Sequence, residues 1–120
     1  MRRATRFFCY FLLFCIILPC AIGAGIGYAK GWPANWRAAS WQSAGILPAP
    51  ASQREAQVVI LSARTGKWKG IFAEHMAVLL KPRSAVGWTR YEVVGWGDPI
   101  SKDGFVPDAL WYGNTPRIIY

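Results

Sequence analysis

The chain has 120 residues, a net charge of +8, 53% apolar residues, three cysteines and one histidine. That length holds one domain and argues against a multi-domain protein or a large soluble enzyme. Cys9, Cys15 and Cys20 all fall in one apolar run near the amino terminus, so residues 30–120 contain no disulfide staple, no thiolate nucleophile and no cysteine-based zinc site.

Residues 1–6 form a basic leader with Arg2, Arg3 and Arg6, and residues 7–29 carry no charge. A helix over 7–29 is about 34 Å long, enough for a hydrocarbon core of about 30 Å. The arginines hold the leader in the cytoplasm under the positive-inside rule. The expected location is therefore the bacterial inner membrane, single pass, with the C-terminal part periplasmic. A cleaved signal peptide also fits: residues 7–18 supply its apolar core, Pro19 breaks the helix, and Ala21-Ile22-Gly23 gives a small-x-small cleavage site. The run stays apolar beyond that site to Ala29, and Trp32 and Trp36 follow where an interfacial aromatic belt belongs, which favours the uncleaved anchor. Pro19 before Cys20 argues against a lipoprotein signal. Gly23 and Gly27 have the small-x-x-x-small spacing of packed membrane helices, or simply belong to a cleavage region.

Apart from the three leader arginines, 11 basic residues face 6 acidic ones. The densest cluster is Arg64, Lys67 and Lys69 around Trp68. Basic residues with an interleaved aromatic suit a nucleic-acid strand, but an exported domain meets anionic lipid or cell-wall polymer instead. The expected partners are the membrane and a cell-wall polymer or another envelope protein, with no nucleic acid; a solvated basic loop is the plain alternative.

Residues 30–55 read as a juxtamembrane spacer, in which Trp32, Trp36 and Trp41 would give one aromatic face to a short helix on the bilayer surface, started by Pro33 and ended by residues 43–50. Residues 57–62 (QVVILS) form a short β-branched run, expected as a buried strand. Residues 64–70 read as a loop turning at Gly66, and the second half of 71–81 as a strand. Residues 88–94 alternate as a third strand, stopped by Gly95-Trp96-Gly97-Asp98-Pro99. Asp103-Gly104 is a hairpin signal, and residues 105–120 are mostly irregular. The fold expected is an N-terminal transmembrane helix followed by a small β-rich extracytoplasmic domain, or an incomplete α+β one, over residues 56–120, with four or five short strands. A domain of roughly 60 residues buries only about 60% of its unfolded surface and usually needs a staple or a partner.

The stretches Ser43-Ala44-Gly45-Ile46, Ala63-Arg64-Thr65, Trp68-Lys69-Gly70-Ile71-Phe72-Ala73, His75, Lys81-Pro82, Thr89-Arg90-Tyr91-Glu92-Val93-Val94-Gly95-Trp96-Gly97, Pro107-Asp108 and Trp111-Tyr112-Gly113-Asn114-x-Pro116 resemble an uncharacterised bacterial family, domain of unknown function 3750. The block from Arg90 to Gly97 is the most specific part. Ala77, two residues after His75, departs from the aromatic usual in that pattern. The resemblance implies a membrane-anchored or exported protein and a longer chain continuing past Tyr120. The order of a histidine on an early strand and a later nucleophile is similar to that of permuted papain-like hydrolases, an analogy of fold only.

His75 is the one side chain with a pKa suited to general-base work. On a strand, Glu74 and Met76 point away from it, which leaves Asp98, Asp103 or Asp108 to orient it. The hydroxyls Ser62, Ser84, Thr89 and Ser101 lie in no nucleophile motif, and a lone histidine without spaced carboxylates holds no metal; no cofactor is expected. Trp88, Tyr91, Trp96, Trp111 and Tyr112 either line a sugar- or peptide-binding groove or form the core of the sheet. Two functions remain: a membrane-anchored envelope protein with a small binding or structural domain, or the amino-terminal part of a permuted papain-like hydrolase with His75 as base and its nucleophile elsewhere.

Overall fold

The computed structural model describes residues 2–33 and 35–120. A continuous helix opens the chain: α1 (Arg2–Leu12), a π-helical turn (Leu13–Ile17) and α2 (Leu18–Lys30). Its apolar portion, Arg3–Lys30, spans 28 residues and is long enough to cross a membrane, as an anchor or as a signal sequence. Pro19 does not break it. Proline has no N–H to donate and its ring crowds the preceding turn; the wide π turn just ahead accommodates both.

The rest of the chain forms one antiparallel sheet of five strands: β1 (Gln57–Arg64), β2 (Glu74–Lys81), β3 (Thr89–Glu92), β4 (Ser101–Lys102) and β5 (Arg117–Ile118), in the order β4-β3-β2-β1-β5. β1 and β2 form its centre, paired along their whole length from Gln57↔Lys81 to Arg64↔Glu74. The third strand is shorter than the alternation over 88–94 suggests, and Asp103-Gly104 joins no two-residue hairpin. Asp103 takes φ 52° at the end of β4, and its backbone N–H and side-chain Oδ1 both bond the Arg90 backbone. The turn between β1 and β2 also differs from expectation. Lys67 carries its positive φ (55°), whereas Gly66 is needed for room, since a Cβ there would meet the Tyr112 ring at 2.7 Å.

Strand alternation divides the sheet into two unlike faces. Leu61, Ala63, Ala77 and Leu79 share the inner face with Lys81, Arg90 and Glu92, and all seven are buried. Val58, Met76, Val78 and Leu80 share the outer face and are exposed, so β1 is half-buried rather than buried. No helix layer covers the inner face among the described residues. The irregular 105–116 segment does so, with Ala109 and Trp111 in the core.

The surface helix expected over Trp32 to Trp41 is absent from the described residues. Asn35 Oδ1 accepts from the Arg37 and Ala38 amides and closes a turn instead, a local bond that Asn offers in competition with a helix. Trp41 then turns inward, stacking on Phe105 (4.9 Å between ring centroids) and meeting Trp111 edge-on at 5.1 Å. Ser43 bridges to Ala109, and its hydroxyl donates to Asp108 Oδ1. Part of the expected spacer, Trp41 to Ser43, therefore packs against the 105–111 segment.

Candidate functional site

His75 lies on the inner face of β2, with Glu74 and Met76 on the other. Ala77 pairs with Glu92 across β2 and β3, so His75, two residues along on the same face, is the diagonal neighbour of Glu92 and within its reach. His75 Nε2 donates to Glu92 Oε2 at 2.6 Å. Arg90 grips the same carboxylate with two bonds, Nε to Oε1 at 2.8 Å and Nη2 to Oε2 at 2.7 Å, and its Nη1 donates to the Pro107 carbonyl at 2.8 Å. Side-chain exposure falls from 12% at His75 to 3% at Arg90 and 0% at Glu92. Burial pushes the Glu92 pKa up, but hydrogen bonds from His75 and Arg90 and their positive charge outweigh it and hold the carboxyl below its ordinary value. An ionised carboxylate only accepts, so the Nε2 proton sits on the shared bond and, in the neutral ring, Nδ1 keeps a lone pair.

None of the three aspartates proposed as orienters serves His75. Asp98 is exposed; Asp103 accepts from the Arg90 amide; Asp108 accepts from Ser43 Oγ at 2.6 Å and the Ile46 amide at 2.9 Å. Burial raises the Asp108 pKa, and those bonds outweigh it and keep it low. Ser62 bonds Glu74 on the outer face, and no hydroxyl bonds His75 among the described residues. No group of three potential metal ligands occurs there either.

The imidazole lies flat on Trp111, 3.5 Å between centroids and 5° from parallel, and Trp96 stacks beyond on the same indole at 6.3 Å. A groove of about 500 Å³ opens beside this stack, walled by Trp96, Trp111, Tyr112 and Trp68, with Lys67 and Lys69 on its loop side. Three of the five expected aromatics thus meet at the groove. Trp88 instead reaches the Pro48 carbonyl at 3.4 Å, and Tyr91, paired with Val78, belongs to the outer face. Trp111 is core as well as wall, only 4% exposed. Its buried Nε1 has no hydrogen-bond partner among the described residues.

Sequence reasoning missed Glu92 and Arg90. Their spacing of two on a strand was visible, but their relation to His75 depends on the register between β2 and β3, which no local pattern encodes.

A family model described as a protein of unknown function (DUF3750) matches residues 55–120. No curated protein and no solved structure matches the chain.

Proposed function

The chain belongs to the DUF3750 family of proteins of unknown function, and on that premise we propose that it is a single-pass membrane-anchored protein of the bacterial envelope whose small periplasmic domain binds a ligand in the aromatic groove beside His75. The observation that carries this reading is the groove of about 500 Å³ itself, walled by the exposed indoles of Trp68 and Trp96 beside the edge of Trp111. Aromatic faces with a few fixed polar groups are how concave sites hold ring-shaped ligands. Lys67 and Lys69 at the same groove suit an acidic substituent, so the ligand class is an anionic cell-wall polymer. The test is co-sedimentation of the purified full chain with cell-wall sacculi. Trp96→Ala is expected to weaken binding about tenfold, and equal binding by the variant would mean that the groove is not the site.

The 2.6 Å bond between His75 and Glu92 favours a second reading, that of a hydrolase. Glu92 fixes the tautomer, His75 Nδ1 acts as general base, and the nucleophile comes from outside the described residues. Hydrolysis of cell-wall peptide or ester bonds by the protein should disappear in His75→Ala; unchanged activity removes this reading.

A further inference from the structure

A second cavity, of about 590 Å³, lies where the end of α2 meets the loop between β1 and β2. Its charged lining is Lys30, Arg64, Lys67 and Arg117 against a single acid, Glu74. Arg117 is already committed to Glu74, at 2.9 and 3.0 Å. Lys30, Arg64 and Lys67 form no ion pair among the described residues. Glu74, the one counter-charge of this cavity, is felt by Arg64 as well as Arg117, so the lining keeps an excess of positive charge that a further anion between Lys30, Arg64 and Lys67 would offset.

The position of this cavity along the helix limits what that anion is. The 3-10 turn Lys67–Ile71 packs directly on α2, where a Cβ at Gly23 would stand 2.8 Å from the Ile71 carbonyl oxygen. Gly23 precedes Lys30 by seven residues, or about 10 Å of helix, so the turn reaches back along the helix toward the bilayer. Trp68 in the turn, at 56%, and Phe72 just after it, at 64%, are exposed, 5.6 Å apart, with Lys67 and Lys69 flanking Trp68. Aromatics among lysines at the mouth of a spanning helix are the composition of an interfacial anchor. The cavity, with Lys30 at its rim, then opens at the level of the lipid phosphates.

We propose that this cavity binds the headgroup phosphate of an anionic phospholipid, with Lys30, Arg64 and Lys67 as its charged contacts and Phe72 seated in the adjoining interface. The site rests on the uncleaved anchor of the reading above. It fixes the domain flush with the membrane, so that the groove beside His75, which shares Lys67 and Tyr112 with this cavity, faces material close to the bilayer.

The test is native mass spectrometry of the full chain released from bilayer discs containing equal phosphatidylglycerol and phosphatidylcholine. The wild type should retain phosphatidylglycerol at least fivefold over phosphatidylcholine. Arg64→Gln/Lys67→Gln should lose that preference. Arg83→Gln/Lys102→Gln, which removes the same charge from exposed positions outside the cavity, should keep it. Equal retention of the two lipids by the wild type, or equal loss in both double variants, overturns the site. Displacement of the lipid by excess glycerol phosphate overturns the assignment to lipid in favour of a free phosphoester. The protein mass in the same spectrum separates the two possible failures: a chain shortened near Gly23 refutes the anchor, whereas an intact chain without lipid preference refutes the site alone.

Discussion

The two faces of the sheet depart from the usual rule for a small antiparallel fold, in which apolar residues turn inward and polar ones outward. The inner face buries Lys81, Arg90 and Glu92 beside Leu61 and Leu79, while the outer face exposes Val58, Met76, Val78 and Leu80. What decides the burial of a charge here is the availability of partners. Arg90 and Glu92 satisfy each other, and Lys81 Nζ donates to the Gln53 and Glu55 carbonyls at 2.8 and 2.6 Å. Hydrogen-bonded in this way, buried charges are tolerated. The lesson is that a loop covering a sheet supplies carbonyl oxygens that a covering helix, its carbonyls spent on its own ladder, does not.

This contrast is open to direct attack by mutation, read as urea unfolding of the full chain in micelles. Glu92→Ala leaves a buried guanidinium without its carboxylate and should cost about 3–5 kcal/mol. A loss below about 1 kcal/mol, the range of exposed ion pairs, would mean that water reaches the pair and the inner face is not closed. Leu79→Ala, at a side chain with 0% exposure, should cost about 2–5 kcal/mol. Lys81→Met keeps most of the volume but strands two carbonyls, for about 1–3 kcal/mol.

Acid should act on both faces and on the segment that covers the inner one. Glu92, Glu74 and Asp108 all have folded pKa values lowered from the ordinary ones. Their contribution is complete above the unfolded carboxylate values of about 4 and is lost as pH falls through the lowered folded values. A urea midpoint that does not decrease on acidification below pH 4 would contradict those hydrogen bonds. The smallest effect belongs to the outer face, where Val78→Thr should change stability by no more than about 0.5 kcal/mol. A cost near that of Leu79→Ala would show that something covers this face in solution.

The apolar helix was legible because an uncharged run from 7 to 29 has few other uses, and the first two strands because β-branched and apolar residues cluster between turn residues. Trp41 and Ser43 were not, since a tryptophan after a proline-containing stretch looks like an interfacial residue until its partner Phe105 is known, and the serine looks like linker until it meets Asp108. His75 stood out as the only histidine. Its carboxylate did not, because Glu92 is 17 residues away and is brought near only by strand register. Pro19 misled for another reason: helix breaking is a cost of lost backbone bonds, and a π turn redistributes it.

The outermost strands, Ser101–Lys102 and Arg117–Ile118, are two residues long each. An incoming strand would find at most a couple of backbone groups to ladder onto at either side, one of them beside a lysine and the other beside an arginine. Growth of the sheet by edge addition, the route to fibrils for small β domains, is thereby discouraged in a chain that has no disulfide to hold it closed.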